Sequence, residues 1–270
     1  MRNARRLQAV IFDWAGTTVD QGSLAPVAAL QELFRRRGVA LSAATARGPM
    51  GIHKRAHIEA LCALPEVAEA FEARAGHRPG PADVDAMFAE LVPLQLALLP
   101  DHAEPVIGCC EAIAALRARG LRIGSTTGYT RAMMDVLAPA ARERGFAPDF
   151  IVTADEVARS RPFPDMCLKN MAAFGIRDPL ACVKVDDTPV GIEEGRRAGM
   201  WTVGVVMTGN EVGRSLAELE SMRPEERARL RAEGILRLAG AGAHWVIDGI
   251  ADLPRVIASI EAELRRPAAA

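Results

Sequence analysis

The hydrophobic pattern of the chain begins with a short apolar run, residues 7–12, that ends at Asp13. The run is about as long as a buried parallel strand, and a turn rich in glycine and threonine follows it. A buried strand that carries a single carboxylate to the carboxyl edge of a sheet commonly begins an active site in α/β proteins. The pattern therefore predicts a first β-strand with a functional residue at its end.

After residue 20 the apolar positions recur at helical spacing, and no strand pattern is found before residue 99. The spacing predicts helices over residues 26–37, 52–64, 66–75 and 81–98. The polar, proline-bounded stretch 99–105 is interpreted as a return linker. We therefore predict a helical cap domain, residues 21–100, inserted into a core domain made of residues 1–20 and 101–270.

From residue 108 onward, strand and helix patterns alternate. Strands are predicted over residues 121–125, 150–153, 183–186, 201–207 and 244–247. Helices are predicted over residues 109–119, 130–143, 164–174, 191–198, 212–219, 224–238 and 253–265. This alternation indicates an α/β fold, a parallel sheet with helices on both faces. The charged segment 212–238 is predicted either to cover the sheet edge or to support a dimer.

Composition narrows the classes of partner. The chain has 270 residues, half of them hydrophobic, and a net charge of −1, so neither nucleic acid nor an acidic membrane surface is expected as a partner. Its five cysteines show no metal-ligand spacing and are expected to be reduced. The apolar run after the basic start is too short for a signal sequence, and no run is long enough to span a membrane. A cytoplasmic protein is expected.

Polar residues cluster where predicted strands end or helices begin. They are Asp13, a Ser/Thr/Gly stretch at residues 125–130, an arginine-containing stretch at residues 159–164, and the pair Asp186 and Asp187. Taken singly, each is interpreted equally well as a helix cap or a solvated loop. Together they offer a nucleophilic carboxylate, oxyanion-binding hydroxyls, a cation and acids for a hard metal ion. Such a set makes up a phosphoryl-transfer centre.

The segments that carry these residues resemble a known superfamily in their order and spacing. They are FDWAGTTVD, RGPMGIHKRAHI, GSTTGYTRAMM, SRPFPDM and VKVDDTPVGIEEGRRAGMW. Over nearly its whole length the chain resembles the haloacid dehalogenase superfamily, which implies a Rossmann-like core with an α-helical cap inserted after the first motif. Within that superfamily it resembles the phosphonoacetaldehyde hydrolases, or phosphonatases. The resemblance implies hydrolysis of the C–P bond of phosphonoacetaldehyde to acetaldehyde and phosphate.

A missing acid points in the same direction. Ala15 stands two residues after Asp13, where related phosphatases carry an aspartate that protonates a departing alkoxide. Lys54 offers a different chemistry, because an amine condenses with an aldehyde to an imine that accepts the electrons of a breaking C–P bond. Burial and the cations beside Lys54 in sequence are expected to lower its pKa. His57 lies three positions later on the same helix face and is expected to move protons.

The resemblance also implies a role for individual residues. Asp13 is the expected nucleophile, which forms an aspartyl-phosphate. The expected Mg²⁺ ligands are Asp13, the backbone carbonyl of Ala15, and Asp187. The expected substrate contacts are Met50, Thr127, Gly128, Tyr129 and Arg161. Many relatives have a second acid four residues after the metal-binding aspartate, whereas this chain has Gly191, so Asp186 or water is expected to fill the gap.

Other interpretations of these residues stay open. A basic string such as HKRAH is more often a solvated helix face than a catalytic site. Met50 and Tyr129 are also explained by packing in the core. The alternative functions are a C–O phosphatase or phosphomutase of the same superfamily, and a non-catalytic phosphate-binding protein. The leading hypothesis is a Mg²⁺-dependent, homodimeric enzyme that acts on a small-molecule phosphonate.

Overall fold

A computed structural model describes residues 6–265 of the chain. Its strands are β1 (Ala9–Phe12), β2 (Arg122–Thr127), β3 (Phe150–Thr153), β4 (Cys182–Asp186), β5 (Trp201–Val205) and β6 (Trp245–Ile247). They form one parallel sheet in the order β3-β2-β1-β4-β5-β6. The predicted α/β fold with a Rossmann-like sheet is confirmed. The basic start of the chain, on which the expectation about a signal sequence depends, lies largely outside the described residues.

Helices occupy the chain between the strands and after the last strand. Five follow β1: α1 (Leu24–Arg35), α2 (Ala43–Arg47), α3 (Lys54–Cys62), α4 (Pro65–Ala75) and α5 (Pro81–Leu98). The others alternate with the strands or follow them: α6 (Cys109–Ala118), α7 (Arg131–Glu143), α8 (Asp165–Ala173), α9 (Pro189–Arg197), α10 (Leu216–Ser221), α11 (Pro224–Gly240) and α12 (Leu253–Leu264).

Strand β1 lies at the centre of the sheet, and all four of its residues are fully buried. An apolar strand with no polar face is stable only where helices cover both sides of a sheet. Phe12, its last residue, stands opposite Ser125 of β2 and Val185 of β4. The parallel register therefore brings the residues that follow β1, β2 and β4 to the same edge of the sheet.

Helices α1 to α5 enclose a hydrophobic cluster of their own, distinct from the clusters around the sheet. Leu30, Phe34, Leu61 and Met87 are fully buried within it. A separate core is what an inserted domain requires, although the predicted domain boundaries stay a prediction. Helix α2 was not predicted, because its five residues are too few to show a period; Ser42 caps it by accepting a hydrogen bond from the Thr45 amide.

The two chain segments that connect these helices to the sheet lie side by side. Val19 forms an antiparallel bridge with Pro105. The Asp20 carboxylate accepts hydrogen bonds from the amides of Leu24 and Ala25 and lies 2.8 Å from Nδ1 of His102. One buried carboxylate therefore ties the start of α1 to the returning segment.

Several element boundaries differ from the predicted ones. Strand β2 continues to Thr127, because it pairs with β3 as far as that residue. Helix α10 begins at Leu216 rather than at residue 212, because Ser215 forms a capping box with the third residue of the helix. Helix α3 begins at Lys54 rather than at residue 52, since the preceding His53 caps it through its ring nitrogen.

Helix α11 packs against α9, β5 and β6. The segment around it therefore covers the sheet where β6 forms the edge, as one of the two predicted alternatives required; the homodimer stays a prediction. Among residues 6–265, no helix is both long enough and apolar enough to cross a bilayer.

Candidate active site

The residues that follow β1, β2 and β4 meet the inserted helices around a small cavity of about 20 Å³. Eight of the residues predicted for the site line it: Asp13, Ala15, Met50, Lys54, Thr127, Gly128, Tyr129 and Arg161. His57 and Asp187 are fully buried and do not line it. The free volume is about that of a single water molecule, so the inserted helices are packed closely onto the sheet here.

Four further residues line the cavity and were not predicted: Ser23, Pro26, Gly51 and Thr188. Gly51 has φ +97°, and a Cβ atom there would come within 2.7 Å of the Thr188 hydroxyl. Gly51 stands inside the cap motif, and a glycine in that motif was a usable signal for a positive φ. Ser23 and Thr188 precede helices, where a hydroxyl is ordinarily interpreted as a cap, and sequence alone does not separate the two roles.

Asp13 is buried directly after β1, and its Oδ1 accepts a hydrogen bond of 2.7 Å from Nη2 of Arg161. Burial raises the pKa of Asp13 to about 6, although Arg161 lowers it and Asp186 raises it further. The turn behind it is folded tightly: the Thr18 hydroxyl donates to the Asp13 carbonyl, and the Thr18 amide donates to the Trp14 carbonyl. The carboxylate is therefore held in place from the main-chain side.

Three carboxylates converge at the edge of the sheet, because oxygen atoms of Asp13, Asp186 and Asp187 lie within 4.8 Å of one another. Burial and the two neighbouring carboxylates raise the pKa of Asp187 well above its ordinary value. Asp187 accepts hydrogen bonds of 2.7 Å from the Thr17 hydroxyl and the Asn210 amide. Carboxylate oxygens are the ligands that divalent hard cations prefer, and a cation would relieve this repulsion. The donor set therefore fits such an ion.

Asp186 differs from Asp187 in its partners. Its carboxylate lies 2.8 Å from Nζ of Lys184 and accepts hydrogen bonds from the amide and hydroxyl of Thr188. Burial opposes its ionisation, but Arg161 and Lys184 outweigh burial and hold the pKa of Asp186 below its ordinary value. A Cβ atom at Gly191 would overlap this carboxylate. The Asp186 carboxylate therefore occupies the space next to Gly191.

Thr127, Gly128 and Arg161 line the cavity together with Asp13. Thr127 is the last residue of β2, rather than part of a turn after the strand as predicted, and its hydroxyl accepts a hydrogen bond from the Tyr129 amide. A Cβ atom at position 128 would come within 2.6 Å of the Ile52 carbonyl, so only glycine fits between the sheet and the inserted helices. A hydroxyl, a backbone amide and a guanidinium thus face one small volume.

Lys54 is the first residue of α3, and its side chain is buried against the cavity. Its Nζ lies 3.9 Å from Sδ of Met50 and 5.1 Å from the centre of the Tyr129 ring. A helix face exposed to solvent was the alternative interpretation of this basic string, and the burial of Lys54 excludes it for this residue. The amine therefore faces the same space as the Asp13 carboxylate.

Burial lowers the pKa of Lys54 to about 8; Asp13 raises this pKa and Arg161 lowers it. The direction agrees with the prediction, whereas the predicted source of positive charge is different. His53 caps α3, and Arg55 forms ion pairs on the surface. The cation that lowers the pKa of Lys54 is Arg161, which stands more than a hundred positions further along the chain.

His57 lies on the same helix as Lys54 but does not line the cavity. Its Nε2 is 2.8 Å from the Ala46 carbonyl, which places the ring proton on that nitrogen. Burial and the charge of Lys54 lower the pKa of His57 to about 3, so the ring is neutral. Its Nδ1 is buried and has no hydrogen-bond partner within residues 6–265. His57 therefore has one ring nitrogen that carries no proton and has no partner in the described part of the chain.

Tyr129, the only tyrosine of the chain, is buried at the cavity wall. Burial and the nearby carboxylates raise its pKa well above the ordinary value, so the phenol stays protonated. The hydroxyl has no hydrogen-bond partner among the described residues. An unpaired buried hydroxyl is costly in a packed core and useful where a polar ligand binds.

Comparison with known proteins shows the family of this chain. Residues 7–199 match the family of haloacid dehalogenase-like hydrolases. The chain is 45% identical over 262 residues to phosphonoacetaldehyde hydrolase from Paraburkholderia xenovorans (strain LB400), covering 97% of this chain and 98% of the relative. It is 49% identical over 261 residues to the protein of that name from Salmonella agona (strain SL483), covering 96% and 97% of the two chains.

Two solved structures show the difference between a shared family and a shared fold. A phosphonoacetaldehyde hydrolase-like protein from Oleispira antarctica has a TM-score of 0.95 at 41% identity, with 97% of this chain and 95% of that chain covered. The β-phosphoglucomutase from Clostridium difficile has a TM-score of 0.65 at 17% identity, covers 95% and 98% of the two chains, and shares the fold alone. Identity over nearly the whole length decides the assignment. The chain is an enzyme that belongs to the haloacid dehalogenase-like hydrolases and, within them, to the phosphonoacetaldehyde hydrolases.

Proposed function

We propose that this enzyme hydrolyses the C–P bond of phosphonoacetaldehyde, giving acetaldehyde and phosphate. One observation carries the proposal: the buried amine of Lys54 lines the same small cavity as the Asp13 carboxylate. In the substrate a single CH₂ group separates phosphorus from the aldehyde carbon. An enzyme that engages both groups therefore needs a nucleophile for each within one small space, and the names of the relatives agree with this.

The phosphoryl half of the reaction uses the sheet side of the cavity. The Asp13 carboxylate attacks phosphorus and forms an aspartyl-phosphate, which water later hydrolyses. The Thr127 hydroxyl, the Gly128 amide and Arg161 hold the phosphoryl oxygens. Mg²⁺ would be held by Asp13, the Ala15 carbonyl and Asp187; when bound it neutralises negative charge on the phosphoryl group. The clustered carboxylates support that ligand set.

The aldehyde half of the reaction uses Lys54. Its neutral amine adds to the carbonyl, and loss of water gives an imine that is protonated at nitrogen. When Asp13 attacks phosphorus, the electron pair of the C–P bond moves into the iminium and leaves an enamine. Protonation at carbon gives the imine of acetaldehyde, and water releases acetaldehyde and regenerates the amine. Because carbon leaves as an enamine, no acid is needed at Ala15.

We assign the proton transfers of these steps to His57. Its ring is neutral because burial lowers its pKa, and its Nδ1 is free to accept a proton. It lies one helical turn from Lys54, so the two side chains stand on neighbouring positions of α3. Met50, whose sulfur contacts the amine, is assigned to keep Lys54 in an apolar environment that favours its neutral form.

The inserted helices are proposed to be a mobile cap, residues 21–100, on a core of residues 1–20 and 101–270. The cavity of about 20 Å³ is too small for the substrate, so substrate entry requires the cap to move away from the sheet. Two connecting segments that lie side by side, around Val19 and Pro105, are suited to such a hinge. Closure would then bring Lys54 to the nucleophile and exclude water.

The test is to incubate the enzyme with phosphonoacetaldehyde, Mg²⁺ and borohydride, and to map the reduced adduct by peptide mass spectrometry. The chain has only three lysines, Lys54, Lys169 and Lys184, so the mapping is unambiguous. We expect the label on Lys54, and release of acetaldehyde and phosphate in equal amounts when borohydride is omitted. Lys54→Arg is expected to abolish both, and Lys169→Arg, at a lysine away from the cavity, is the matched control.

The alternative functions give different results in the same assay. A C–O phosphatase or phosphomutase would turn over phosphate monoesters and leave Lys54 unlabelled. A protein that only binds phosphate would release no product from either class of substrate. Label on Lys169 or Lys184 in place of Lys54 would remove the lysine assignment.

A further inference from the structure

Glu194 is a fully buried acid on α9 that has no place in the reaction described above. Its Oε2 accepts hydrogen bonds from Nε of Arg161 at 2.9 Å and from the Thr126 hydroxyl at 3.1 Å. Nζ of Lys184 lies 3.6 Å from the same oxygen. A buried carboxylate lowers the stability of a protein unless its charge is compensated. The three contacts of Glu194 supply that compensation and raise the question of what the acid does at the site.

The contact with Glu194 decides which edge of the Arg161 guanidinium faces the cavity. Nε is used by Glu194, and Nη2 is used by Asp13 at 2.7 Å and by the Thr126 carbonyl at 3.0 Å. Nη1 makes one contact, of 3.3 Å, with the Gly51 carbonyl. Since Nη1 carries two hydrogens, one donor remains available on the side of Arg161 that lines the cavity.

Arg161 needs such a partner because of where it stands in the chain. It lies in an irregular segment between β3 and α8, whereas Glu194 is held by a helix packed against β4 and β5. Arginine and a carboxylate prefer a bidentate pair with two parallel hydrogen bonds. Without a fixed partner at Nε, the guanidinium would be free to turn both Nε and Nη2 towards Asp13. Arg161 would then hold both oxygens of the nucleophile rather than Oδ1 alone, and no donor would face the phosphoryl group.

The Thr126 hydroxyl links this contact to the rest of the buried charges. It accepts hydrogen bonds from Arg161 Nη2 at 2.8 Å and from Lys184 Nζ at 2.9 Å, and it donates to Glu194. One donor and two acceptors are all that a hydroxyl has, so its position is fully determined. Lys184 also pairs with Asp186. The network therefore links Glu194, through its Oε2, to Arg161 and Lys184, while Oε1 of Glu194 has no hydrogen-bond partner among residues 6–265.

We propose that Glu194 is a positioning residue: it holds the guanidinium of Arg161 by its Nε edge, so that Nη1 is presented to a phosphoryl oxygen and Arg161 holds Oδ1 of Asp13 alone, which leaves Oδ2 to attack phosphorus. The inference rests on the proposed function for the identity of the phosphonate, but the anion it concerns is the phosphoryl group itself. Inorganic phosphate, which is also the expected product, is therefore the probe.

The experiment compares two measurements on Glu194→Gln. The first is the affinity for inorganic phosphate in the presence of Mg²⁺, measured by calorimetry. We expect a loss of ~10- to 100-fold, the usual range for a hydrogen bond to a charged group. The second is the rate of borohydride trapping of Lys54 with phosphonoacetaldehyde at saturating concentration. We expect it to stay within about twofold, because Glu194→Gln keeps the charge of Arg161 that acts on the Lys54 amine.

Two further variants make the result specific. Glu194→Asp keeps the charge but shortens the side chain, so it is expected to lose phosphate affinity as Glu194→Gln does; it also carries the test if the glutamine variant does not fold. Glu193→Gln is the matched control, because Glu193 is the preceding residue and forms its ion pair with Arg197 on the surface. Its phosphate affinity is expected to be unchanged.

Unchanged phosphate affinity in Glu194→Gln would overturn the proposal. So would full affinity in Glu194→Asp, because charge alone would then be sufficient. Equal losses of phosphate affinity and of trapping would indicate a merely structural role and would also overturn it. Failure of the proposed function is a different result: the wild-type enzyme would show no trapping at Lys54, while the phosphate measurement would still report on Glu194.

Discussion

The side-chain nitrogen of Lys54 lies 5.1 Å from the centre of the Tyr129 ring. Lys54 begins α3 of the inserted helices and Tyr129 follows β2, so this contact joins the two parts of the molecule at the cavity. An aromatic face stabilises a cation without accepting its proton, and here the cost of burial is the larger effect. The consequence is a lysine that is less basic than an ordinary one and still close to the nucleophile.

The lowered pKa of Lys54 predicts the pH dependence of imine formation. Only the neutral amine attacks an aldehyde, and a pKa of about 8 means that its population rises with pH up to that value and then levels off. The rate of borohydride trapping is therefore expected to increase about tenfold per pH unit between pH 6 and 7 and to be flat above pH 9. Pre-steady-state labelling at constant ionic strength measures this. A rate that still rises steeply at pH 10 would contradict the lowered pKa.

Burial of Lys54 also predicts a cost in stability. Its pKa in the folded protein, about 8, lies below the ordinary value of 10.5, so the unfolded chain binds the proton more tightly. The penalty is complete below pH 8 and is relieved as the pH rises towards 10.5. Lys54→Met is therefore expected to raise the free energy of unfolding at pH 7 by on the order of 3 kcal/mol. Urea unfolding at pH 7 and 9.5 checks this; the gap is expected to narrow at the higher pH.

Adding a single carbon at Gly191 is predicted to affect both stability and Mg²⁺ binding. A Cβ atom at this position would overlap the Asp186 carboxylate, which is held by Lys184 and Thr188 and has no room to move aside. Gly191→Ala is expected to lower stability by ~1–3 kcal/mol and to weaken Mg²⁺ binding. Calorimetric titration with Mg²⁺ and urea unfolding measure the two effects. Gly240→Ala, where a Cβ atom would meet open space, is the control and is expected to change neither.

Arg47 is predicted to keep the cap closed. From α2 it donates hydrogen bonds of 3.2 Å to Oδ1 of Asn210 and of 3.2 Å to the Gly213 carbonyl, and the backbone amide of Asn210 in turn donates to Asp187. These contacts exist only while the cap lies on the core. Arg47→Met is expected to raise KM for phosphonoacetaldehyde by ~10-fold, since hydrogen bonds to a charged group are lost. Steady-state kinetics tests this against Arg55→Met, a surface arginine of the same segment; equal KM values would exclude the closing role.

The Asp13→Asn substitution is predicted to stop the phosphoryl half of the reaction and to leave the aldehyde half intact. The amide is isosteric with the carboxylate but does not attack phosphorus, so release of phosphate is expected to be lost. Imine formation depends on Lys54 and is expected to continue, which borohydride trapping measures. An Asp13→Asn variant that still releases phosphate, once deamidation is excluded by mass spectrometry, would rule out the aspartyl-phosphate.

The local patterns of the sequence were enough for the architecture. A buried apolar strand and a helix differ in period and length, so the parallel sheet and most helices followed from the order of residues alone. The motifs around Asp13, Lys54 and Asp186 placed candidate chemistry at strand ends and helix starts. The exceptions were short or capped elements, such as α2 and the start of α10, where side-chain hydrogen bonds rather than periodicity set the boundary.

Only the tertiary structure decided how those residues act on one another. The sequence determined that Lys54 has basic neighbours, but burial and Arg161, which stands more than a hundred positions away, shift its pKa. The sequence also determined that position 191 is a glycine and not an acid, whereas packing showed that the Asp186 carboxylate occupies the space beside it. Glu194 gave no signal, because an acid on an amphipathic helix has the same pattern whether it faces water or a buried guanidinium. Burial and distance set these interactions, and both are properties of the folded chain.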